Sequence, residues 1–412
     1  MRWFLLCVPI LSLLWTGTLR AEGPLRLEQV LEEALKNNPE ILAMQEQILS
    51  AEERISPAGA LPDPQVGAMF NGIPGRMMPD TRYDQTRITA SQMFPLFGKL
   101  QVKREVASKG VEVVRAKYEE KRRSIVAQVK FAYYALFLAH KAIDINRENA
   151  ELMRTFTRIA EAKYTVGKAP QQNVLKAQVS FSVLLNQLIT LEQQLETARA
   201  RLNELLNRSP ETPLEEPGAF ENIFSNRSLK ELKTLALEHR PELQAMTHAI
   251  EQKEVLLNLA QKQYFPDLMA GMQYWQNNAR KDQIAATVSI NLPLWWRSKQ
   301  DHGVKQAAAD IQVAKSDYLA MKNQVLFQIQ DRLVKVQTAE RTIDLYRTSI
   351  LPQAEQALEA ARIGYETERV DFLTLVDSQK QLYTLRLEYY RAMVDHEQQM
   401  AGLEQAVGTD LR

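Results

Sequence analysis

Six polar residues near the C-terminal end, Thr374, Asp377, Gln381, Thr384, Glu388 and Arg391, recur at spacings of three and four. On a helix they form one stripe, with Phe372, Leu375, Val376, Leu382 and Leu385 largely on other faces and packed against neighbouring helices. The stripe carries a carboxylate, Asp377, near a helix start, where the N-terminal dipole favours a negative charge. Little else could do chemistry. The five histidines (His140, His239, His248, His302 and His396) are scattered without metal-ligand spacing and are expected on solvated helix faces. "VGK" at 166–168 lacks the Gly-rich lead of a phosphate loop. No catalytic constellation is present, no cofactor is implied, and an enzyme is not expected.

These residues must be carried by long helices. The 412-residue chain is 45% hydrophobic and 25% charged, with scarce Gly and abundant Ala, Leu, Gln, Glu and Lys. A net charge of +1 gives nothing to attract nucleic acid. Residues 1–21, "MRWFLLCVPILSLLWTGTLRA", have an early Arg2, an apolar stretch from Trp3 to Trp15, and small and polar residues up to Ala21. That is the layout of a secretory signal peptide cleaved after Ala21; the apolar stretch is too short for a comfortable membrane anchor. Cleavage leaves 49 basic against 50 acidic residues and removes the single cysteine, Cys7. Disulfides, thiolate metal sites and cysteine nucleophiles are thereby excluded. No later run of 18 apolar residues follows, so the exported chain is periplasmic or a membrane barrel.

The mature sequence states one plan twice, 22–208 and 228–412, around a Pro-rich linker at 209–227. "LEQVLEEALKNNPEI" from Leu27 matches "LKELKTLALEHRPEL" from Leu229, and "LPDPQVGAMF" from Leu61 matches "FPDLMAGMQY" from Phe265. Pro95 matches Pro293, and "YTVGKAPQQNVLKAQ" from Tyr164 matches "YETERVDFLTLVDSQ" from Tyr365. Each copy opens with an amphipathic helical pattern (27–56 in the first). The period then changes to two: Val66, Ala68 and Phe70 alternate with Gln65, Gly67, Met69 and Asn71. In "QIAATVSINL" (283–292) Ile284, Ala286, Val288, Ile290 and Leu292 form one row, long enough for a tilted bilayer-spanning strand. An ordinary sheet packed on a core is the competing reading. Two very long helices follow, from Gly98 to about Tyr164 and from Arg297 to about Tyr365. At 1.5 Å per residue each spans roughly 100 Å, which calls for extended coiled-coil packing. Pro352 marks a break or kink in the second. Pro95 and Pro293, with Phe94, Phe97, Trp295 and Trp296 beside them, mark where a strand leaves the bilayer and a periplasmic helix begins.

In this order and spacing "NNPEI", "ALPDPQV", "SQMFPLFGKL" and "AKYTVGKAPQQNVLKAQ" resemble the TolC-like outer-membrane efflux proteins, over essentially the whole mature chain. "LPDP" and "FPLFGKL" look most like the branch serving heavy-metal efflux pumps. The resemblance implies a mainly α fold with transmembrane β-structure: four strands per chain in a homotrimeric twelve-stranded barrel above a coiled-coil helical tunnel. It places the chain in the outer membrane, embedded in lipid, with the tunnel in the periplasm docking onto an adaptor (membrane fusion) protein and an inner-membrane pump. It implies that Val166, Gly167, Lys168, Glu368 and Arg369 form the docking tip. It further implies that Asp377 belongs to an acidic periplasmic gate held closed through Tyr365, with Thr374 where the family has a second acid. "YETER" lacks the Gly of "YTVGK", which leaves its turn geometry open. Independently of the family, four strands cannot close a barrel, and an open sheet in lipid leaves backbone groups unpaired, so transmembrane strands here require oligomerisation. The rivals are a periplasmic adaptor, which should carry extended β-segments flanking its helical hairpin, and an exported coiled-coil scaffold, which needs no period-two runs.

Overall fold

The computed structural model describes residues 23–71, 85–222, 227–277 and 281–411. The predicted signal peptide with Cys7, and linker residues 223–226, lie outside these. The first helical pattern is divided at Pro39 into α1 (Leu27–Asn37) and α2 (Pro39–Glu53), followed by the short α3 (Ile55–Gly59). Pro39 has no N–H to continue a helix but suits its first position, and the Asn38 side chain caps α2 by accepting from Glu40 N at 2.9 Å. Strands β1 (Gln65–Asn71) and β2 (Gln85–Phe94) precede α4 (Lys99–Thr165), which turns back as α5 (Gln171–Leu205). The second copy repeats this with α6 (Leu229–His239), α7 (Pro241–Lys262), β3 (Leu268–Asn277), β4 (Gln283–Ile290), α8 (Gln300–Leu345), α9 (Leu351–Glu366) and α10 (Phe372–Val407).

The kink expected at Pro352 is a π-helical turn, Tyr346–Ile350, between α8 and α9. The wider turn absorbs the missing Pro N–H without ending the helix. Strand β4 is two residues shorter than its alternation suggests. Its partner β3 begins only after Pro266 and Asp267, so Asn291 N finds Asp267 O at 3.0 Å and the paired ladder stops at Ile290.

The two hairpins merge into one antiparallel sheet, ordered β1-β2-β3-β4. The register sorts its faces. Val66, Ala68 and Phe70 lie in rows with Ile88 and Ala90, with Met272 and Tyr274, and with Ile284, Ala286 and Val288. The other face carries Gly67, Arg87, Thr89, Ser91, Gln273, Thr287 and Ser289, with Arg87 over the Trp275 ring at 5.2 Å. Val66 and Val288 are 76% and 72% exposed. A sheet whose apolar face has no protein against it is built for lipid. This decides against the ordinary-sheet reading.

The helices bury apolar rows where they meet. Ile125, Val129 and Leu136 of α4 pack with Val30 and Ile41 from α1 and α2 and with Leu202 of α5. Val325, Ile329 and Val336 of α8 repeat this with Leu232, Leu243 and Leu403. Each such side chain contributes roughly 1.5–3 kcal/mol by burial. The internal repeat extends to polar detail. Asn38 Nδ2 donates to Leu205 O at 2.9 Å, and the matching Arg240 Nη1 donates to Ala406 O at 2.9 Å. Asn207 and Gly408 end their helices with φ +57° and +81°. Among the described residues α5 is the one helix long and apolar enough in composition to cross a membrane, but Val174, Ala177, Leu184 and Leu202 seat it along the bundle.

Candidate functional site: the helical tip and the strand–helix junction

At one end of the bundle the α4–α5 and α9–α10 turns lie side by side. Both use the same hydrogen bonds. Gly167 N donates to Tyr164 O (3.0 Å) and Lys168 N to Lys163 O (2.8 Å); Glu368 N donates to Tyr365 O (3.3 Å) and Arg369 N to Gly364 O (2.8 Å). Gly167 has φ +73°, and Glu368, which replaces it in the second copy, adopts +64°. The missing Gly therefore leaves the turn unchanged, at the cost of a left-handed conformation that side chains disfavour. Lys168 Nζ bridges the turns to Glu368 Oε1 at 2.9 Å, and this bond lowers the Glu368 pKa. Val166, Gly167, Lys168, Glu368 and Arg369 thus come together on one exposed end.

Just inside it, Tyr365 is buried against Phe372 at 5.3 Å, with Lys163 Nζ 4.4 Å above its ring and donating to its backbone carbonyl at 2.5 Å. Burial pushes its phenol pKa up. Gly364 is small of necessity, because a Cβ there would lie 2.6 Å from Val370 Cγ2. The α10 start is capped by Asp371, which accepts from Thr374 N at 2.9 Å and from the Thr374 hydroxyl; these bonds lower its pKa. Asp377 is therefore not the cap. It lies on the exposed face of α10 beyond Thr374, also exposed, while Phe372, Leu375 and Val376 of the same turns are buried. The Asp-x-x-Thr pattern ahead of an apolar run is the signal that could have identified Asp371 beforehand.

Where sheet becomes bundle, Phe94 ends β2, and Phe97 and Gly98 follow Pro95 and Leu96 with φ +58° and +73°. Phe97 stacks on Phe265 at 4.6 Å. Lys99, 3% exposed, donates to Phe265 O (2.8 Å) and pairs with Asp267 Oδ1 (2.7 Å). Pro293 and Trp295 border a cavity of about 620 Å³ that Lys99, Phe265 and Asp267 also line, and Trp296 lies beside Tyr264 at 6.4 Å. All six aromatic and proline residues singled out in the sequence flank the foot of the sheet; Lys99 and Asp267 were missed.

The expectation for the histidines fails at His396, which is fully buried: its Nδ1 is 3.1 Å from Glu397 Oε1, a carboxylate that also accepts from Asn222 Nδ2 (2.9 Å) and, through Oε2, from Tyr134 OH (2.9 Å). Here α10 is enclosed by α4 and the linker, which no local pattern reveals. His140 and His248 are half-buried. Folding also gathers Glu112, His248 and Glu251, with ligand atoms within 4.8 Å of one another. The Lys109 ammonium already sits between the two carboxylates, at 3.1 and 2.9 Å, and they raise its pKa.

A chain with an unclosed, lipid-facing sheet on one end of a long helical bundle is one stave of an oligomeric transmembrane channel. It belongs to the outer membrane efflux protein family, whose profile matches residues 30–208 and again 232–409. It is 24% identical to the cobalt-zinc-cadmium resistance protein CzcC of Cupriavidus metallidurans, over 90% of this chain and 86% of that one. It is 21% identical to the pyoverdine export outer membrane protein OpmQ of Pseudomonas putida, over 93% of this chain and 85% of that one. Its fold matches the crystal structure of CusC with a TM-score of 0.80 at 17% identity, covering 93% and 92% of the two chains. The chain is an outer-membrane efflux channel subunit, a trimeric conduit with a periplasmic helical tunnel that works with an adaptor and an inner-membrane pump. Its family is one of channels, not of enzymes.

Proposed function

We propose that this conduit exports divalent transition-metal ions, that its tip at Val166, Gly167, Lys168, Glu368 and Arg369 receives the adaptor, and that Asp377, flanked by Thr374 and steadied through Tyr365, forms its periplasmic constriction. The cargo reading rests on the likeness to CzcC along 90% of the chain. The docking reading rests on one observation: two different sequences, "YTVGK" and "YETER", hold the same turn, the second through a strained Glu368. A surface presented twice in one shape suits a partner that meets both turns. At the other end, Phe94, Pro95, Phe97, Pro293, Trp295 and Trp296 form the membrane-interface girdle on the periplasmic side.

A Cβ at Gly167 would meet nothing within 4 Å, so bulk there is costly only to a partner. Gly167→Ala carries the backbone cost alone, about 1 kcal/mol, and retains export. Gly167→Trp is expected to leave trimers intact while cells accumulate cobalt, zinc and cadmium as a deletion strain does. Wild-type metal export by Gly167→Trp would remove the docking role, and a deletion strain with unchanged metal content would remove the cargo.

Three Asp377 carboxylates around an axis attract multivalent cations and, unneutralised, repel one another. In reconstituted channels Asp377→Ala is expected to relieve block by multivalent cations added from the periplasmic side. Equal block in both proteins would exclude Asp377 from the constriction.

A further inference from the structure

Two fixed offsets relate the strands: 204 residues carry β1 onto β3, and 198 carry β2 onto β4. The ladders obey both, since Gly67 pairs with Thr89 and Gly271 with Thr287. The contact of β2 with β3 is therefore the joint between one repeat and the next, and the chain displays it once. At its foot Lys99 pairs with Asp267 and Phe97 stacks on Phe265. The offsets carry Lys99 to Arg297, Phe97 to Trp295, Asp267 back to Asp63 and Phe265 back to Leu61. All four of these are exposed. Among the described residues Asp63 enters no salt bridge, and Arg297 lies only over its own Trp296 ring at 5.1 Å. They border β4 and β1, the free edges of the sheet, which run antiparallel to each other.

We propose that the joint is rebuilt between copies of the chain: Arg297 of one takes Asp63 of the next, Trp295 covers Leu61, and β4 pairs with β1 in the register that sets Val288 opposite Ala68. That register is the Ala90–Met272 pairing of β2 with β3, displaced by the two offsets. Edge strands in lipid cannot stay unpaired, so a second copy is the occupant both edges require. A slip of one residue turns the apolar row of β4 inward, and a slip of two unhooks Arg297 from Asp63. The ion pair thus selects among registers that the alternation alone would allow.

Cysteines test this cleanly, because Cys7 in the predicted signal peptide is the only native one. Within one chain β2 and β3 lie between the two positions, and the residue of β4 level with Ala68 is Ile284, so 68 and 288 are more than about 14 Å apart, beyond disulfide reach. Oxidised Ala68→Cys/Val288→Cys protein is expected to run as covalent trimers in denaturing gels, with Ala68→Cys/Ala286→Cys and Ala68→Cys/Ile290→Cys linking poorly. Trimers that link through 286 or 290 instead would overturn the register, whereas a chain that forms no native trimer would overturn the channel reading itself. For the ion pair, Arg297→Asp or Asp63→Arg alone should reduce recovered trimer roughly tenfold or more, and the double exchange should restore it. Arg297→Lys should keep the trimer, since Lys99 performs this task within the chain. A double exchange no better than the worse single variant would overturn the ion pair.

Discussion

Val288→Arg chains are expected to reach the periplasm but fail to appear as heat-modifiable trimers in the outer membrane. Val288 stands in the apolar row Ile284, Ala286, Val288 and Ile290 of β4, on the face shared with Val66, Ile88 and Met272. An Arg on the lipid side costs roughly 2–4 kcal/mol at the bilayer midplane and less toward the interface, and a trimer incurs the cost three times. The neighbouring Ser289 points to the opposite, polar face, so Ser289→Arg should assemble normally. Fractionation and unheated gel electrophoresis of the two variants settle the point. Equal trimer from both would mean that the sheet does not face lipid as its register indicates.

The second large effect falls on the junction. Asp267→Ala leaves the Lys99 ammonium, 3% exposed, with only the Phe265 carbonyl as acceptor. Truncating one partner of a buried pair costs several kcal/mol; here about 3 kcal/mol is expected, because the Asp267 side chain keeps 24% exposure and water can enter. The loss should appear as a lower trimer melting temperature and as protease cleavage near Phe97 and Gly98, the left-handed pair that carries β2 into α4. Lys99→Met in the same background removes the stranded charge and should recover much of the loss. An Asp267→Ala trimer as stable as wild type would show that Phe265 O and water suffice.

Much of this was legible in order along the chain. The period-two run of β4 and the three-and-four spacing along α4 and α10 are local patterns, and a strand or helix in a one-sided environment must write such patterns into its own residues. The repeat was legible because both copies solve the same packing problem, down to Ala34 and Ala236, each fully buried. Gly167 was legible because a left-handed turn favours that residue. The left-handed backbone of Glu368 was not: its turn is held by hydrogen bonds to Tyr365 and Gly364 and by Lys168 from the other hairpin, 200 residues away.

The element types, their order, the two-copy plan and the need for further chains to close the sheet are written in the residues themselves. Each follows from periodicity, from residues that forbid a conformation, or from backbone groups that lipid cannot satisfy. Which charges meet is fixed by the folded bundle. Lys99 with Asp267, Lys168 with Glu368 and the enclosed His396–Glu397 cluster join elements far apart in the chain. No spacing rule relates such partners, because their distance is set by how twisted strands and long helices come to lie against one another, and that depends on the whole bundle.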